Sequence, residues 1–412
     1  MSALASDPIA AGRLPRLLAG LRADGPLGLD EHLARLGPIP RVDVLAAVEA
    51  SGLRGRGGGA FPTAAKLRAV ASRRGRPVVV ANATEGEPVC VKDKVLLRHL
   101  PHLVLDGAVL AATGLRAREA IVVVGADAVA EQQSVARAIE ARRRYRGDGE
   151  VSLHLAVAPS RFVSGEETAL VNFLNGRAAK PTFKPPLPFE RGVGGAPTLV
   201  QNVETLAHIA LIARFGSEWF RELGTRDEPG SALLTVSGAI RRPGVYEVAL
   251  GSPLVELLAM AGGVTDAPQA FLLGGYFGTW VAAERAQRLE LSAASLKAAG
   301  ASLGAGAVVV QSAAACGVVE TARIASWLAG ESAGQCGPCV HGLAAIAGAL
   351  ERLAACERKD RRPQLERWLG LVERRGACRH PDGSARFVAS ALEVFAPEVR
   401  HHLDGRCTGA PR

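Results

Sequence analysis

Aromatic residues are scarce: they make up 4% of the 412 residues, while apolar residues as a whole reach 48%. An interior with so few rings must be filled by Ala, Val and Leu, which suits helices packed closely on a parallel sheet. Long apolar runs are missing too. Stretches such as VVVANA and LVLDGAVLAATGL are short or interrupted by charge. None reaches the roughly 20 residues that a membrane-spanning helix needs. The start, MSALASDPIAAGRLPRLLAGL, has an early Asp and no apolar signal core, so it reads as mature protein. Seven cysteines are too few for a disulfide framework and odd in number. They point to a reducing, cytoplasmic setting, with metal or redox chemistry for some of them.

The net charge is +9, carried almost entirely by scattered Arg. The densest run, ARRRYRG from Ala141 to Gly147, reads as the solvated end of a helix, and no nucleic-acid motif accompanies it. A basic exterior suits acidic cofactors and acidic electron carriers. Neither a nucleic-acid partner nor a direct membrane span is expected.

Periodicity divides the chain. Residues 1–45 read as an N-terminal helical lead-in segment with Pro and Gly breaks. VDVLAAVEASGL is helical and stops at Gly52, and a glycine loop and another helix through AAKLRAVASRR follow. PVVVANAT, EAIVVVGA and VSLHLAVAP read as buried strands, separated by helical HLVLDGAVLAATGL and AVAEQQSVARAIEARRRY. Strands alternating with helices predict an α/β domain with a mainly parallel sheet, assigned to residues 46–222. From about Ser231 the pattern changes to a hairpin with a Pro-Gly turn, a short helix and further strands. That describes a small β-grasp-like α+β unit over 228–312. Residues 313–412 read as a helical bundle, broken by a cysteine loop and by a loop at GACRHPDGSAR.

The loop GRGGGA satisfies the G-x-G-x-x-A fingerprint at Gly55, Gly57 and Ala60. The dinucleotide fingerprint follows a strand, whereas this loop follows a helix. Consecutive glycines still let a ligand approach the backbone with no Cβ in the way, and the next helix turns its amides toward an anion. A plain helix linker is the alternative.

The segments SGLRGRGGGAFPT, NATEGEP, SGEETAL, KPPLP, PTLVQNVETL and ESAGQCGPC occur in an order that resembles the NADH-binding flavoprotein subunit of respiratory complex I, the F subunit of NADH-quinone oxidoreductase. Diaphorase subunits of NAD-linked hydrogenases and formate dehydrogenases are similar. The resemblance implies a Rossmann-like α/β domain for FMN and NADH, a β-grasp module of the SLBB kind and a helical domain carrying a 4Fe-4S cluster. It implies that Gly55, Arg56, Gly57, Gly58 and Lys66 serve the FMN phosphate and the dinucleotide. Asn82, Glu85, Gly165, Glu166, Gln201 and Asn202 would line the flavin. Glu87 and Glu167 would meet nicotinamide and ribose as the catalytic pair, Phe61 would stack on adenine and Lys184 would meet the nucleotide. The residue types suit such ligands, since anions need cations and backbone amides, and carboxylates can accept from ribose hydroxyls.

Four positions depart from the family pattern. Thr84 stands where Asp is usual, Phe162 where Tyr is common, Ala69 where a second adenine-stacking aromatic would fall, and Ala333 at the first cysteine of the cluster loop. Cys336, Cys339 and Cys378 match three of the family's four cluster ligands. A Cys-x-x-Cys with a distant Cys signals a metal, with zinc the competitor to iron-sulfur. Cys407 in the tail is the favoured fourth ligand. Cys356 lies too far along one helix, Cys316 reads as a buried small side chain, and His341 and His380 are nearby alternatives. The expected function is NADH oxidation through FMN and a cluster, with electrons passing to a ferredoxin-like partner or other subunits of a redox complex. A degenerate assembly subunit and a flavin-only diaphorase are the alternatives.

Overall fold

The structure, a computed structural model, describes residues 13–22, 25–407 and 409. The chain forms two compact units. The first runs up to Lys180 and adds Lys184–Leu234 and Glu247–Ser252; the second holds Pro181–Phe183, Thr235–Tyr246 and the chain from Pro253 onward.

In the first unit the elements run α1 (Leu29–Leu36), α2 (Val44–Ser51), α3 (Thr63–Ala71), β1 (Val78–Ala83), α4 (Lys92–His99), α5 (Pro101–Gly114) and β2 (Glu119–Gly125). Then follow α6 (Val129–Tyr145), β3 (Ser152–Ala158), α7 (Glu167–Leu174), β4 (Thr198–Asn202), α8 (Val203–Phe215) and α9 (Ser217–Arg221). The sheet is wholly parallel, in the order β3-β2-β1-β4. The three strands expected from β-branched runs are β1, β2 and β3. The fourth, TLVQN, was not expected as a strand: it is five residues long and runs straight into α8, so no alternation or turn marks it.

Both faces of the sheet are covered. Val78, Val80, Ile121, Val123 and Val200 pack with Leu170 and Val171 of α7. Val79, Ala81, Val122 and Val124 are fully buried on the opposite side, where α5 and α8 meet the sheet. Gly107 of α5 lies so close to α8 that a Cβ there would stand 1.9 Å from the carbonyl oxygen of Leu206. The Ala-rich composition is what allows this close packing, since dense interiors with few rings bring backbones together. No single helix among the described residues is long and apolar enough to cross a membrane.

Strand order places a switch point between β1 and β4. From β1 the chain moves outward through β2 to β3, then returns to β1's other side as β4. In open α/β sheets ligands bind outside the carboxyl ends at such a point. Asn82 and Asn202 are paired in register there.

The remaining elements are β5 (Ser231–Gly238), β6 (Gly244–Ala249), α10 (Leu254–Met260), β7 (Pro268–Leu273), β8 (Thr279–Ala282), α11 (Ala283–Ala286), α12 (Ala293–Ala298) and β9 (Ala307–Ser312). Their sheet has the order β6-β5-β9-β7-β8, with β5 and β9 parallel and β7 antiparallel to β8 and β9. The bundle is α13 (Gly317–Gly330), α14 (Ala344–Ala354), α15 (Arg362–Val372), α16 (His380–Val394) and α17 (Ala396–Leu403). In this second unit rings do build the core: Trp280 packs edge-on to Phe395 at 5.1 Å, and Tyr276 on Trp327 at 5.3 Å. The loop expected over GACRHPDGSAR is shorter than predicted. From His380 onward it is the start of α16, where Pro381 needs no amide hydrogen bond.

A methyl group at Gly107 has no room against α8. Gly107→Ala is expected to lower the unfolding free energy by about 1–3 kcal/mol, read by urea denaturation.

Candidate functional site

The glycine loop leaves α2 at Gly52, whose left-handed backbone (φ 71°) ends the helix. It closes on itself: the Gly55 amide donates to the Phe61 carbonyl at 2.9 Å and the Thr63 amide to the Leu53 carbonyl at 3.0 Å. Between these ties Gly57, Gly58 and Gly59 are exposed. Gly57 lies over the carboxyl end of β4, where a Cβ would come 3.0 Å from Cβ of Asn202. Gly58 has φ 103°, a conformation that side chains resist. The bare backbone therefore sits at the switch point of the sheet.

Arg56 is turned away from a ligand role. Its Nε donates to the Ser231 carbonyl at 3.1 Å and a terminal nitrogen to the Pro229 carbonyl at 3.4 Å, while its amide donates to Thr205 Oγ1 at 2.9 Å. Its charge anchors the loop. Phe61, 58% exposed, presents an open ring face.

The loop after β1 meets the loop before α7. Asn82 Nδ2 donates to the Gly165 carbonyl at 2.8 Å, and its Oδ1 accepts from Thr84 Oγ1 at 2.6 Å. Thr84, one of the departures from the family pattern, thus orients Asn82 without a charge. Gly165 is a tight fit, because a Cβ there would stand 2.9 Å from the Thr84 carbonyl oxygen. Glu166 caps α7, accepting from the Thr168 and Ala169 amides at 2.8 and 3.1 Å. Lys184 reaches Glu166 at 3.0 Å and Glu167 at 2.7 Å, and Lys66 reaches Glu167 at 3.4 Å. Burial opposes ionisation of Glu167, but Lys66 and Lys184 outweigh it and hold its carboxyl below the usual range. Glu167 is therefore a carboxylate at neutral pH, an acceptor only.

Beneath this surface lies a buried ionic layer that the sequence reading missed. Lys92 pairs with Asp93 at 2.7 Å and with Glu204 at 2.8 Å, all three being nearly inaccessible. Glu204 also accepts from the Leu233 amide at 2.9 Å. Asn202 donates to Asp93 at 2.5 Å while its Oδ1 caps α8, accepting from the Glu204 amide at 3.0 Å. Glu85 caps α4 through the Asp93 and Lys94 amides at 3.2 and 3.1 Å. Burial, then the Asp93 charge, push its carboxyl up to about 7. The only signal in the sequence was the charge cluster KDK at Lys92–Lys94, and it looks no different from a solvated helix start. Glu87 is buried after β1, and Gln201 Nε2 lies 3.5 Å from Thr63 Oγ1 under the glycine loop.

In the second unit the cysteine loop enters α14 through a wide π-type turn, Pro338–Leu343, with the Cys339 and Val340 amides both donating to the Cys336 carbonyl. Cys339 is buried, and burial, then the Cys378 and Cys336 thiols, push its own thiol up to about 12. The Cys378 and Cys336 thiols thus lie close enough to Cys339 for their charges to act on it, and thiolate donors suit iron-sulfur or zinc. Two alternatives for the missing ligand are set aside. His341 is exposed, and His380 is buried with Nε2 2.8 Å from the Leu328 carbonyl. Cys407 is corrected as well. It lies with Cys316 and His402, the ligand atoms all within 4.8 Å of one another. His402 contacts Leu353 and Cys356, at the far end of α14 from the cysteine loop. Eleven helical residues, Ala344–Ala354, separate the two places by about 16 Å.

Three protein-family descriptions match the chain: the Nuo51 FMN-binding domain over residues 48–211, the SLBB domain over 233–275, and the NADH-ubiquinone oxidoreductase-F iron-sulfur binding region over 319–402. One relative, the NADH-quinone oxidoreductase F subunit numbered 2 in Rhizobium meliloti, is 34% identical, across 90% of this chain and 91% of its own. The chain belongs to the family of NADH-quinone oxidoreductase F subunits. The F subunit of Streptomyces coelicolor is 32% identical, across 93% of this chain and 87% of its own. Among solved structures, an NAD+-reducing [NiFe]-hydrogenase in the air-oxidized state superposes with a TM-score of 0.80 at 32% identity. That match covers 90% of this chain and 63% of the hydrogenase chain, so this chain spans less than two thirds of that one. The family's FMN-binding region coincides with the glycine loop and the switch point, and its iron-sulfur region with the three-cysteine site.

The native state holds a proton that the unfolded chain releases above its ordinary value of 4.5, so Glu85 destabilises the fold increasingly as pH rises toward about 7. Relative to Glu85→Gln, wild-type stability should fall between about pH 5 and about pH 7.5 in urea titrations; a constant difference refutes this.

Proposed function

We propose that the chain is an NADH:acceptor oxidoreductase: a flavoprotein that oxidises NADH and delivers electrons through an iron-sulfur centre to a partner. The observation that carries this is the exposed glycine backbone held over Asn202 at the sheet's switch point, beside the Lys66–Glu167–Lys184 cluster. The residues fit the cofactor. Amides of Gly57 and Gly58, with Lys66, would hold its phosphate, Gly55 would close the loop behind them, and Asn82, Glu85, Gly165, Glu166, Gln201 and Asn202 would form the walls. When bound, FMN supplies acceptance of an electron pair and its release one electron at a time.

The protein's own part is positioning. Glu167, ionised by its two lysines, would accept from ribose hydroxyls, with Glu87 beside the nicotinamide and Lys184 on the dinucleotide's anionic groups. Phe61 would stack on adenine alone, since Ala69 offers no ring. Cys336, Cys339 and Cys378 would hold the cluster, which supplies one-electron transfer when bound. Ala333 and the distant placement of Cys407 favour one second reading, a flavin-only diaphorase. We infer a ferredoxin-like partner or other subunits of a redox complex from the basic exterior, and a cytoplasmic setting from the free thiols. The division into residues 1–45, 46–222, 228–312 and 313–412 stands as part of this proposal.

Purified protein is expected to show a flavin spectrum that NADH bleaches under argon. Colourless protein that FMN does not reconstitute would overturn the reading. Iron and acid-labile sulfide on the same sample separate the relay from the flavin-only form. Glu167→Gln is expected to raise KM for NADH about tenfold or more with kcat little changed, the signature of lost ground-state binding.

A further inference from the structure

Cys316, His402 and Cys407 have no part in the activity above, yet three separate segments bring them together. Cys316 is the N-cap of α13, its Sγ 3.5 Å from the Val319 amide, and is 7% exposed. His402 lies in the last turn of α17 and is fully buried. Cys407 comes from the tail beyond α17 and is exposed. Gly409 is closely seated: a Cβ there would stand 2.5 Å from the Cys316 amide nitrogen.

The imidazole is oriented for ligation. Its Nδ1 lies 2.9 Å from the Leu353 carbonyl, which can only accept, so Nδ1 carries the hydrogen. That leaves the Nε2 lone pair facing Cys316 Sγ at 3.1 Å. A ligating histidine commonly donates its other ring N–H to a backbone carbonyl in this way. Cys356, just past α14, stands on the Nδ1 edge at 3.4 Å.

The spacing discriminates between metal centres. All three ligand atoms lie within 4.8 Å of one another. Around one tetrahedral zinc ion, with bonds of about 2.0–2.3 Å, ligand atoms stand about 3.6–3.8 Å apart. A cubane cluster binds each thiolate through a separate iron and needs its sulfurs wider apart. Two thiolates and an imidazole are also a donor set that zinc prefers over magnesium or calcium.

The geometry points to a second metal site, separate from the iron-sulfur cysteines, in which Cys316, His402 and Cys407 bind a single Zn2+ ion, with water in the fourth position. The ion fastens the C-terminal tail to the start of α13 and the end of α17.

The test loads the full-length protein with Zn2+ alone, desalts it and measures zinc, iron and sulfide together, with Co2+ as a spectroscopic probe of tetrahedral thiolate ligation. Wild type is expected to retain about one zinc per chain. The triple variant Cys336→Ala, Cys339→Ala, Cys378→Ala should retain the same amount. Cys316→Ala, His402→Ala and Cys407→Ser should each weaken zinc binding by more than about tenfold and abolish the cobalt–thiolate bands. Cys407 is exposed, so its variant keeps the test decisive if the buried ones misfold. Wild type without zinc, zinc retained by Cys407→Ser, or iron lost with zinc unchanged in that variant would each overturn the proposal. NADH bleaching of the flavin is a separate readout, so failure here leaves the oxidoreductase reading standing.

Discussion

Gly57 carries no Cβ, and the space a Cβ would fill lies against Asn202. Everything at the sheet's carboxyl edge follows from that approach. Asn202 is at once the end of β4, the cap of α8 and the donor to Asp93. The loop can rest on it only because the loop is bare, and the loop is held there by Arg56, whose charge is used inward on two backbone carbonyls. A surface built this way offers amides rather than side chains to a phosphate, and leaves the cationic work to Lys66 and Lys184.

The buried layer below supports that surface at an energetic cost. Lys92, Asp93 and Glu204 are out of water, and such ions stay charged only when each is paired and hydrogen-bonded. They are: each carboxylate meets Lys92, Glu204 also takes the Leu233 amide, and Asp93 takes Asn202. The layer therefore links the caps of α4 and α8, so the two loops that would face a flavin are set by one network. Glu85 stands at its edge, where burial first and then the Asp93 charge raise its pKa.

The thiols divide along α14. Cys336 and Cys339 precede it, with Cys378 near Cys339, while Cys316, His402 and Cys407 gather past its other end. The alanine at position 333 of the cysteine loop and the gathering of Cys316, His402 and Cys407 elsewhere are separate facts. Counting cysteines along the chain merges them, because a count carries no direction.

Much of the frame was legible in advance. The β-branched runs of β1, β2 and β3, the helical periodicity of α5 and α6, the Gly52 stop and the change of pattern near Ser231 are local signals, and local signals survive into the fold. The six ordered motifs marked the site loops for the same reason: close backbone approach demands glycine and capping demands Asn or Glu, whatever surrounds them. Sequence alone thus determined the parallel α/β frame and the bare loop, and its Cys-x-x-Cys spacing marked the candidate metal site. Only the tertiary structure decided that Arg56 turns inward, that Lys92 and Asp93 join Glu204 in a buried network, that TLVQN completes the sheet, and that Cys407 meets Cys316 and His402. Each of these depends on which distant segments come within a few ångströms, and distance in space between remote positions is not written in the order of residues.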